Sequence, residues 1–146
     1  MLDITVRPAT VIPPGGGEVL DALGAPMIVK ADGGTPGPFF AEHPVPPGYA
    51  VPPHVHAVDD ELFYILEGEL TLLTDGGEVK AGPGATVLLP RGGRHGFRND
   101  TAGTVRMLVV CTPGLQAAEM FRHFDRARPT APDAVVGICA QYGVAF

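Results

Sequence analysis

The sequence predicts an all-β protein whose many short strands close into a barrel or a two-sheet sandwich. Turn-forming residues are abundant, with 20 glycines and 16 prolines among 146 residues. They divide runs of β-forming residues at intervals of roughly 8–12 residues, a spacing typical of sandwiches and barrels. Because 45% of the residues are hydrophobic, these glycines and prolines are interpreted as turns between strands rather than as a sign of disorder.

The strands alternate with turns from the N-terminus to residue 112. We predict eight to ten short strands, in extended segments at residues 4–6, 18–23, 27–30, 39–45, 61–66, 70–74, 78–80, 85–89, 97–99 and 104–111. Residues 47–53 are a Pro/Gly-rich approach to the first histidines. Residues 75–77, Asp-Gly-Gly, predict a hairpin because the pair Asp-Gly accepts the positive φ angles of a tight turn. Residues 104–111 are nearly all apolar and are expected in the core.

After residue 112 the pattern becomes helical. Apolar residues recur every three positions and predict an amphipathic helix, with its face formed by Leu115, Ala118, Phe121 and Phe124 and supported by Met120. Leu115, Phe121 and Phe124 are expected to pack on the barrel, and a lid over its mouth is the alternative. A second short helix is predicted at residues 133–142, with Asp133 as its N-cap and Gly143 as its stop. We expect a single domain over residues 1–146, with a barrel core at 36–112 and a helical segment at 113–143.

Charge and cysteine content exclude several classes of function. The net charge is −6 and no basic run occurs, which argues against nucleic-acid binding. Cys111 and Cys139 form no Cys-x-x-Cys pair, and Cys111 is expected to be a buried free thiol. The chain has neither a signal-peptide pattern nor an apolar run of about 20 residues, so we predict a cytoplasmic protein without a membrane span.

One group of residues has the composition of a metal site. His54 and His56 are two positions apart, so on a strand both imidazoles face the same side. Glu61 follows after a predicted turn at residues 57–60 and is expected to begin the next strand facing inward. His95 comes 34 residues later, after a full hairpin. Three imidazoles and one carboxylate suit one divalent transition metal ion: Fe, Mn, Ni, Co, Cu or Zn.

The same residues carry two motifs that resemble those of the cupin superfamily. The first motif matches at all of its fixed positions: Gly48, His54, His56, Glu61 and Gly68. The second motif also matches at all of its fixed positions: Gly84, Pro90, Gly92, His95 and Asn99. The 15 residues between the motifs, 69–83, are similar to the short spacer of small single-domain bacterial cupins. The sequence is thus identified as similar to that group, and residues 112–114 with the following helix loosely resemble quercetinase-like cupins.

The resemblance implies a double-stranded β-helix, or jelly-roll barrel, with the metal at its open mouth. Together with the helical pattern after residue 112, this predicts a cupin barrel followed by two short C-terminal helices. Glu61 is interpreted as a permanent metal ligand. The alternative is a carboxylate that leaves the metal and acts as a general base, and this makes Glu61 the candidate catalytic residue. Asp59 and Asp60 are interpreted as a solvated turn, with a supporting role behind the ligands as the alternative.

Other residues are candidates for the substrate cavity. Phe63 and Phe97 are predicted to bind substrate, together with Arg94 as a clamp for an anionic group. The alternative for Arg94, and for Arg91, is an ordinary surface arginine. Five residues are candidates for the cavity lining: Phe39, Phe63, Tyr64, Phe97 and Met107. Of the adjacent pair Phe63 and Tyr64 only one can face inward. His43 and His123 lack motif spacing and are expected on the surface.

Three functions agree with these residues. The first is a dioxygenase-like oxidoreductase acting on a small oxygenated molecule such as a flavonol, a diketone or an enol. The second is a redox-neutral isomerase, lyase or decarboxylase that uses the metal as a Lewis acid. The third is a non-catalytic module that binds a small ligand. A homodimer is expected because a small jelly roll leaves edge strands exposed, with residues 4–6 as the strand that pairs across the interface.

Overall fold

The protein has the predicted all-β architecture followed by two helices. The computed structural model describes residue 1, residues 8–34 and residues 38–146. Its elements are β1 (Glu18–Asp21), β2 (Pro26–Asp32), β3 (Phe39–Val45), β4 (Ala50–His56), β5 (Asp60–Glu67), β6 (Leu70–Thr74), β7 (Gly77–Ala81), β8 (Thr86–Leu89), β9 (Arg94–Arg98), β10 (Val105–Thr112), α1 (Ala117–Ala127), α2 (Pro132–Gln141) and β11 (Val144–Ala145). The predicted strand at residues 4–6, and with it the expected dimer edge, lies outside the described residues.

The strands form two antiparallel sheets that face each other as a jelly-roll barrel. The larger sheet has the order β1-β2-β3-β10-β5-β8, and the smaller has the order β11-β4-β9-β6-β7. Side chains alternate across each sheet, so every second residue enters the space between them. One continuous core results, to which the larger sheet contributes Phe39 and Phe63 and the smaller sheet Leu72 and Phe97.

Strand β4 departs from the prediction of a Pro/Gly-rich approach. It begins at Ala50 and continues through Pro52 and Pro53 to His56. Proline cannot donate a hydrogen bond to a ladder. The pairing of β4 with β9 is correspondingly irregular between Val51 and His54, so the two prolines fall where the ladder is interrupted.

The C-terminal helices are confirmed, with corrections at their ends. Leu115 was expected on the packed face of α1, but it precedes the helix and is 70% exposed. Asp133 was expected as the N-cap of α2; the N-cap is Ala131, because Pro132 occupies the first helical position, for which its fixed φ is suited. Gly143 follows the helix with a φ of 73° and ends it as predicted.

Helix α1 is fixed to the barrel by polar and aromatic contacts. Arg122 forms an ion pair with Glu18 of β1, at 2.7 Å between Nη2 and Oε2. The Phe121 ring stacks on Phe39, with centroids 5.5 Å apart. The short strand β11, which was not predicted, then pairs with the end of β4. No helix of the described residues is long and apolar enough to cross a membrane.

Candidate metal centre

Three histidines of the smaller sheet meet at one end of the barrel. His54 on β4 lies directly opposite His95 on β9 in the antiparallel register. His56 follows two residues after His54 and faces the same side, as its spacing predicted. The Nε2 atoms of His54 and His56 are 3.0 Å apart.

Glu61 reaches the same point from the larger sheet. It lies on β5, where it pairs with Cys111 of β10 and Leu89 of β8. Its Oε2 is 3.0 Å from Nε2 of His95 and 3.7 Å from Nε2 of His56. The short connection at residues 57–59 therefore turns the chain from one sheet into the other, and it brings a carboxylate to three imidazoles.

These four residues, His54, His56, Glu61 and His95, are hereafter the metal centre, because their donor atoms fit a single ion. One donor atom from each lies within 4.8 Å of the others. Bonds of about 2.1 Å to an ion separate neighbouring donors by about 3.0 Å at a right angle and about 3.4 Å at the tetrahedral angle. The separations of 3.0 Å and 3.7 Å lie close to these values. Two imidazole lone pairs that face each other at 3.0 Å also need a proton or a cation between them.

Backbone carbonyls orient two of the imidazoles. Nδ1 of His54 lies 2.8 Å from the carbonyl oxygen of Pro52, and Nδ1 of His95 lies 3.3 Å from that of Gly93. A carbonyl oxygen only accepts hydrogen bonds, so each Nδ1 carries the proton. Nε2 is left as the nitrogen available to a metal, an arrangement common behind metal-binding histidines.

Electrostatics favour a charged Glu61 carboxylate and a neutral His54 imidazole. Burial alone raises the pKa of Glu61, but the hydrogen bond with His95 and the nearby imidazoles outweigh it and hold the pKa below its usual value. Burial lowers the pKa of His54. A carboxylate and a neutral imidazole are the forms that bind metal ions.

Residues behind Glu61 are arranged differently from the sequence expectation. The Cys111 thiol, buried and unpaired as expected, lies 3.9 Å from Oε1 of Glu61 and donates to it. Asp59 accepts a hydrogen bond from the backbone N–H of Gly114 at 2.7 Å, and Asp60 accepts one from that of Arg91 at 2.9 Å. These two hydrogen bonds connect the aspartates to backbone N–H groups of other segments and not to the side chains of the metal centre.

A cavity of about 610 Å³ opens beside the metal centre. This volume lies within the usual range for small-molecule sites. Three members of the metal centre, His54, His56 and Glu61, contribute to its wall, which is otherwise mainly apolar. Among the described residues that line it there is no lysine or arginine.

The predicted substrate-binding residues divide into two groups. Phe63 and Phe97 line the cavity, with their rings edge to face at 5.5 Å, whereas Tyr64, next to Phe63, is 39% exposed. Arg94 is exposed and lies outside the cavity lining, because its neighbour His95 faces inward and side chains alternate along a strand. The structure therefore gives no support to a clamp at Arg94. Arg91 instead pairs with Asp60, with 3.5 Å between Nη2 and Oδ2.

His43 was expected on the surface, and that expectation is wrong. It is 2% exposed and lines the cavity from β3. The strand alternates buried and partly exposed residues from Phe39 to Val45. In the sequence, the apolar residues Phe39, Ala41 and Val45 follow a period of two. Position 43 falls in the same series, and this was the signal that the His43 side chain faces inward. His123 is partly buried beside Tyr142, with 3.2 Å between Nδ1 and the hydroxyl oxygen.

The C-terminal segment completes the cavity. Helix α1 contributes Phe121 and Phe124 to the wall, and α2 contributes Val135 and Cys139. The Phe146 ring lies 5.7 Å from that of His54. The helices consequently both pack on the barrel and cover its mouth, which combines the two alternatives left open by the sequence.

Comparison with known families agrees with this site. Residues 42–111 match the family model described as "Cupin domain", a range that includes the whole metal centre. The helices α1 and α2 lie outside the matched range. The part of the chain from within β3 to within β10 is therefore similar to a cupin domain.

Similar proteins carry several activities. A quercetin 2,3-dioxygenase of Bacillus subtilis is 37% identical over 89 residues, which is 60% of this chain and 26% of that protein. A sugar phosphate isomerase of the cupin superfamily from Silicibacter pomeroyi has a TM-score of 0.56 and 30% identity, over 60% of this chain and 59% of that one. A polyketide cyclase from Streptomyces resistomycificus has a TM-score of 0.53 and 31% identity, over 60% and 63%. The chain spans less than two thirds of each of these proteins.

Proposed function

We propose that this small cupin holds one divalent transition metal ion at its metal centre and is a dioxygenase-like oxidoreductase acting on a small, neutral, oxygenated organic molecule. The observation that carries the proposal is that the donor atoms of four residues converge, and three of these residues line a large, mainly apolar cavity. A redox-active ion such as Fe, Mn, Co, Ni or Cu supplies, when bound, the means to bind and activate an oxygenated substrate together with dioxygen. Zinc fits the ligands equally well but has no redox chemistry.

The cavity wall favours an uncharged substrate. Apart from the metal ion itself, the described wall has no lysine or arginine, so an anionic group that lies away from the ion would be buried without a compensating charge. A substrate that carries a phosphate away from the ion, such as a sugar phosphate, therefore fits poorly. A flavonol, a diketone or an enol fits better, since its apolar body can lie against Phe63 and Phe97 while its oxygen atoms reach the metal centre.

The residues around the ion have separate tasks in this proposal. The three imidazoles hold it, and the ring orientation of two of them is fixed by carbonyls. Glu61 provides negative charge, and its ionised carboxylate can accept the proton of an enolic hydroxyl that approaches the ion. The phenylalanines and the C-terminal helices exclude water, which strengthens each polar interaction in the site.

A second candidate is a redox-neutral reaction, such as cyclisation or isomerisation, in which the ion is a Lewis acid. The resemblance to a polyketide cyclase supports this candidate, because a polyketide is also apolar and oxygenated. A binding module without catalysis is the third. Fold alone does not separate the three, since one fold hosts many chemistries.

Oxygen uptake separates the candidates. The protein is loaded in turn with Fe, Mn, Co, Ni, Cu and Zn and mixed with a panel of flavonols, diketones and enols in an oxygen electrode. The proposal expects substrate-dependent uptake with at least one redox-active ion, none with zinc, and none in His95→Ala. Arg94→Ala is the matched control and should behave as the unaltered protein. Substrate turnover without oxygen uptake would favour the redox-neutral candidate, and binding without turnover the third.

The oligomeric state is part of the same proposal. We expect a homodimer in solution, because β1, β8, β7 and β11 are the outer strands of the two described sheets. Light scattering at micromolar concentration measures this, and a monomer would reject it.

A further inference from the structure

His43 is a buried polar group in the cavity that the metal centre does not use. Its Nδ1 lies 2.8 Å from the carbonyl oxygen of Pro26 on the neighbouring strand β2. A carbonyl accepts and cannot donate, so Nδ1 carries a proton. In the neutral ring, Nε2 is then an acceptor with a free lone pair.

The second ring nitrogen of His43, Nε2, faces the cavity. No described residue forms a hydrogen bond with Nε2. Among the described residues, every fully buried side-chain nitrogen or oxygen atom does have a hydrogen-bond partner. Nε2 must therefore retain some accessible surface. Since the residue is 2% exposed and lines the cavity, that surface faces the cavity.

The surroundings hold His43 in the neutral, accepting form. Burial lowers the pKa of the ring, and the hydrogen bond to Pro26 and the charge of Glu61 only partly oppose this effect. A lowered pKa leaves the ring unprotonated at neutral pH. Nε2 then presents a lone pair to the cavity rather than a proton.

Aromatic rings frame the His43 side chain. Tyr49 and Phe97 contact it edge to face, with ring centroids at 5.8 Å and 6.2 Å. The Tyr49 hydroxyl donates to the carbonyl oxygen of Ala22 at 2.6 Å, so its proton is already engaged. This part of the wall thus offers flat apolar surfaces and one strong acceptor, which suits an aromatic molecule bearing a hydroxyl group.

We propose that Nε2 of His43 is a specificity group that accepts a hydrogen bond from a hydroxyl of a neutral aromatic ligand bound in the cavity. The inference rests on the proposed function for its substrate class and adds the second point at which the ligand is held. The metal centre binds one end of the molecule, and His43 selects for a hydroxyl elsewhere on it. An analogue without that hydroxyl leaves Nε2 buried and unpaired, which is how a polar pocket rejects a ligand.

Two substitutions of His43 distinguish the contribution of Nδ1 from that of Nε2. The amide of asparagine in His43→Asn reaches the position of Nδ1 and can still donate to Pro26, but nothing replaces Nε2. The longer side chain in His43→Gln places its amide near the position of Nε2. Asparagine therefore removes the proposed acceptor while retaining the structural bond, and glutamine is the matched control.

The test is a binding cycle with flavone and its monohydroxy derivatives as probes, using the zinc-loaded protein so that no turnover interferes. In the unaltered protein at least one hydroxyl should raise affinity by about tenfold over flavone, the scale of one buried hydrogen bond. His43→Asn should abolish that gain without changing the affinity for flavone, and His43→Gln should restore part of it. A gain that survives His43→Asn but disappears when zinc is removed would place the hydroxyl on the metal and overturn the inference. Failure of every probe to bind would overturn it as well.

A second measurement does not depend on a variant that folds. In protein labelled with ¹⁵N-histidine, Nε2 of His43 should shift on binding the favoured hydroxyflavone and should not shift with flavone. An unchanged Nε2 resonance at saturation would contradict the proposed bond. Both experiments use a redox-silent ion, so they can succeed even if the oxygen-uptake test of the proposed function fails.

Discussion

Replacing Gly96 with alanine should damage the metal centre from the side opposite its ligands. Gly96 follows His95 on β9, where this strand crosses the two prolines of β4. An added Cβ would lie 2.5 Å from the carbonyl oxygen of Val51, 2.8 Å from N of Pro53 and 2.9 Å from the carbonyl carbon of Pro52. All three are backbone atoms, so no side-chain rotation can relieve the overlap.

The size of the effect follows from these distances. An approach of 2.5 Å is about 0.9 Å shorter than an ordinary contact at 3.4 Å, so β4 and β9 must separate by about that amount. Overpacking of this kind costs about 1–3 kcal/mol of the free energy of unfolding. Because β4 carries His54 and His56 while β9 carries His95, the same displacement moves their donor atoms apart. We expect metal affinity to fall at least about tenfold, the lower bound for loss of support behind metal ligands.

The assay is a zinc titration against a chromophoric chelator, with denaturant unfolding of the metal-free protein alongside. Gly82→Ala is the matched control, because a Cβ at Gly82 meets nothing within 4 Å. It should leave both quantities unchanged. Normal metal affinity and normal unfolding in Gly96→Ala would refute the reasoning that the close approach of β4 and β9 sets the geometry of the site.

Three other changes test separate parts of the structure. His54→Ala should lower metal affinity by more than about 100-fold, since a ligand matters more than the groups behind it; circular dichroism should still show the barrel, and an unfolded variant would mean that the ion is structural. Arg94→Ala should change affinity for the best hydroxyflavone by less than about twofold, as for most surface substitutions, and a larger loss in calorimetry would restore the clamp. Burial raises the pKa of Cys139 to about 11, so at pH 8 about one molecule in a thousand holds the reactive thiolate. Alkylation followed by mass spectrometry should therefore be far slower in the native than in the unfolded protein, and equal rates would contradict the buried position.

The four side chains of the candidate metal centre could be predicted from the sequence because two of them share one strand and the spacing of the two motifs indicates the other two. The spacing of His54 and His56 fixes a common face on one strand, whereas the pairing of β4 with β9, which are separated by four strands in the chain, brings His95 opposite His54. The position of Arg94 was open to the same reasoning, since a residue next to an inward ligand on a strand faces outward. Its charge suggested contact with the substrate, whereas the structure places it outside the cavity lining.

Other features depend on contacts between distant parts of the chain. His43 lacks motif spacing, and its environment is set by distant parts of the chain, since β2 supplies the Pro26 carbonyl and the opposite sheet supplies Phe97. Strand β11 has two residues and forms because α2 returns the chain beside β4. The apolar period after residue 114 predicted a helix, but the cavity it covers could not be inferred from that period alone.

Metal analysis of the purified protein tests the central claim most directly. The account predicts close to one transition metal ion per chain, either as isolated or after reconstitution, and a loss of that ion in His54→Ala with the fold retained. A protein that binds no metal after reconstitution, or a His54→Ala variant that keeps the full amount, would contradict it.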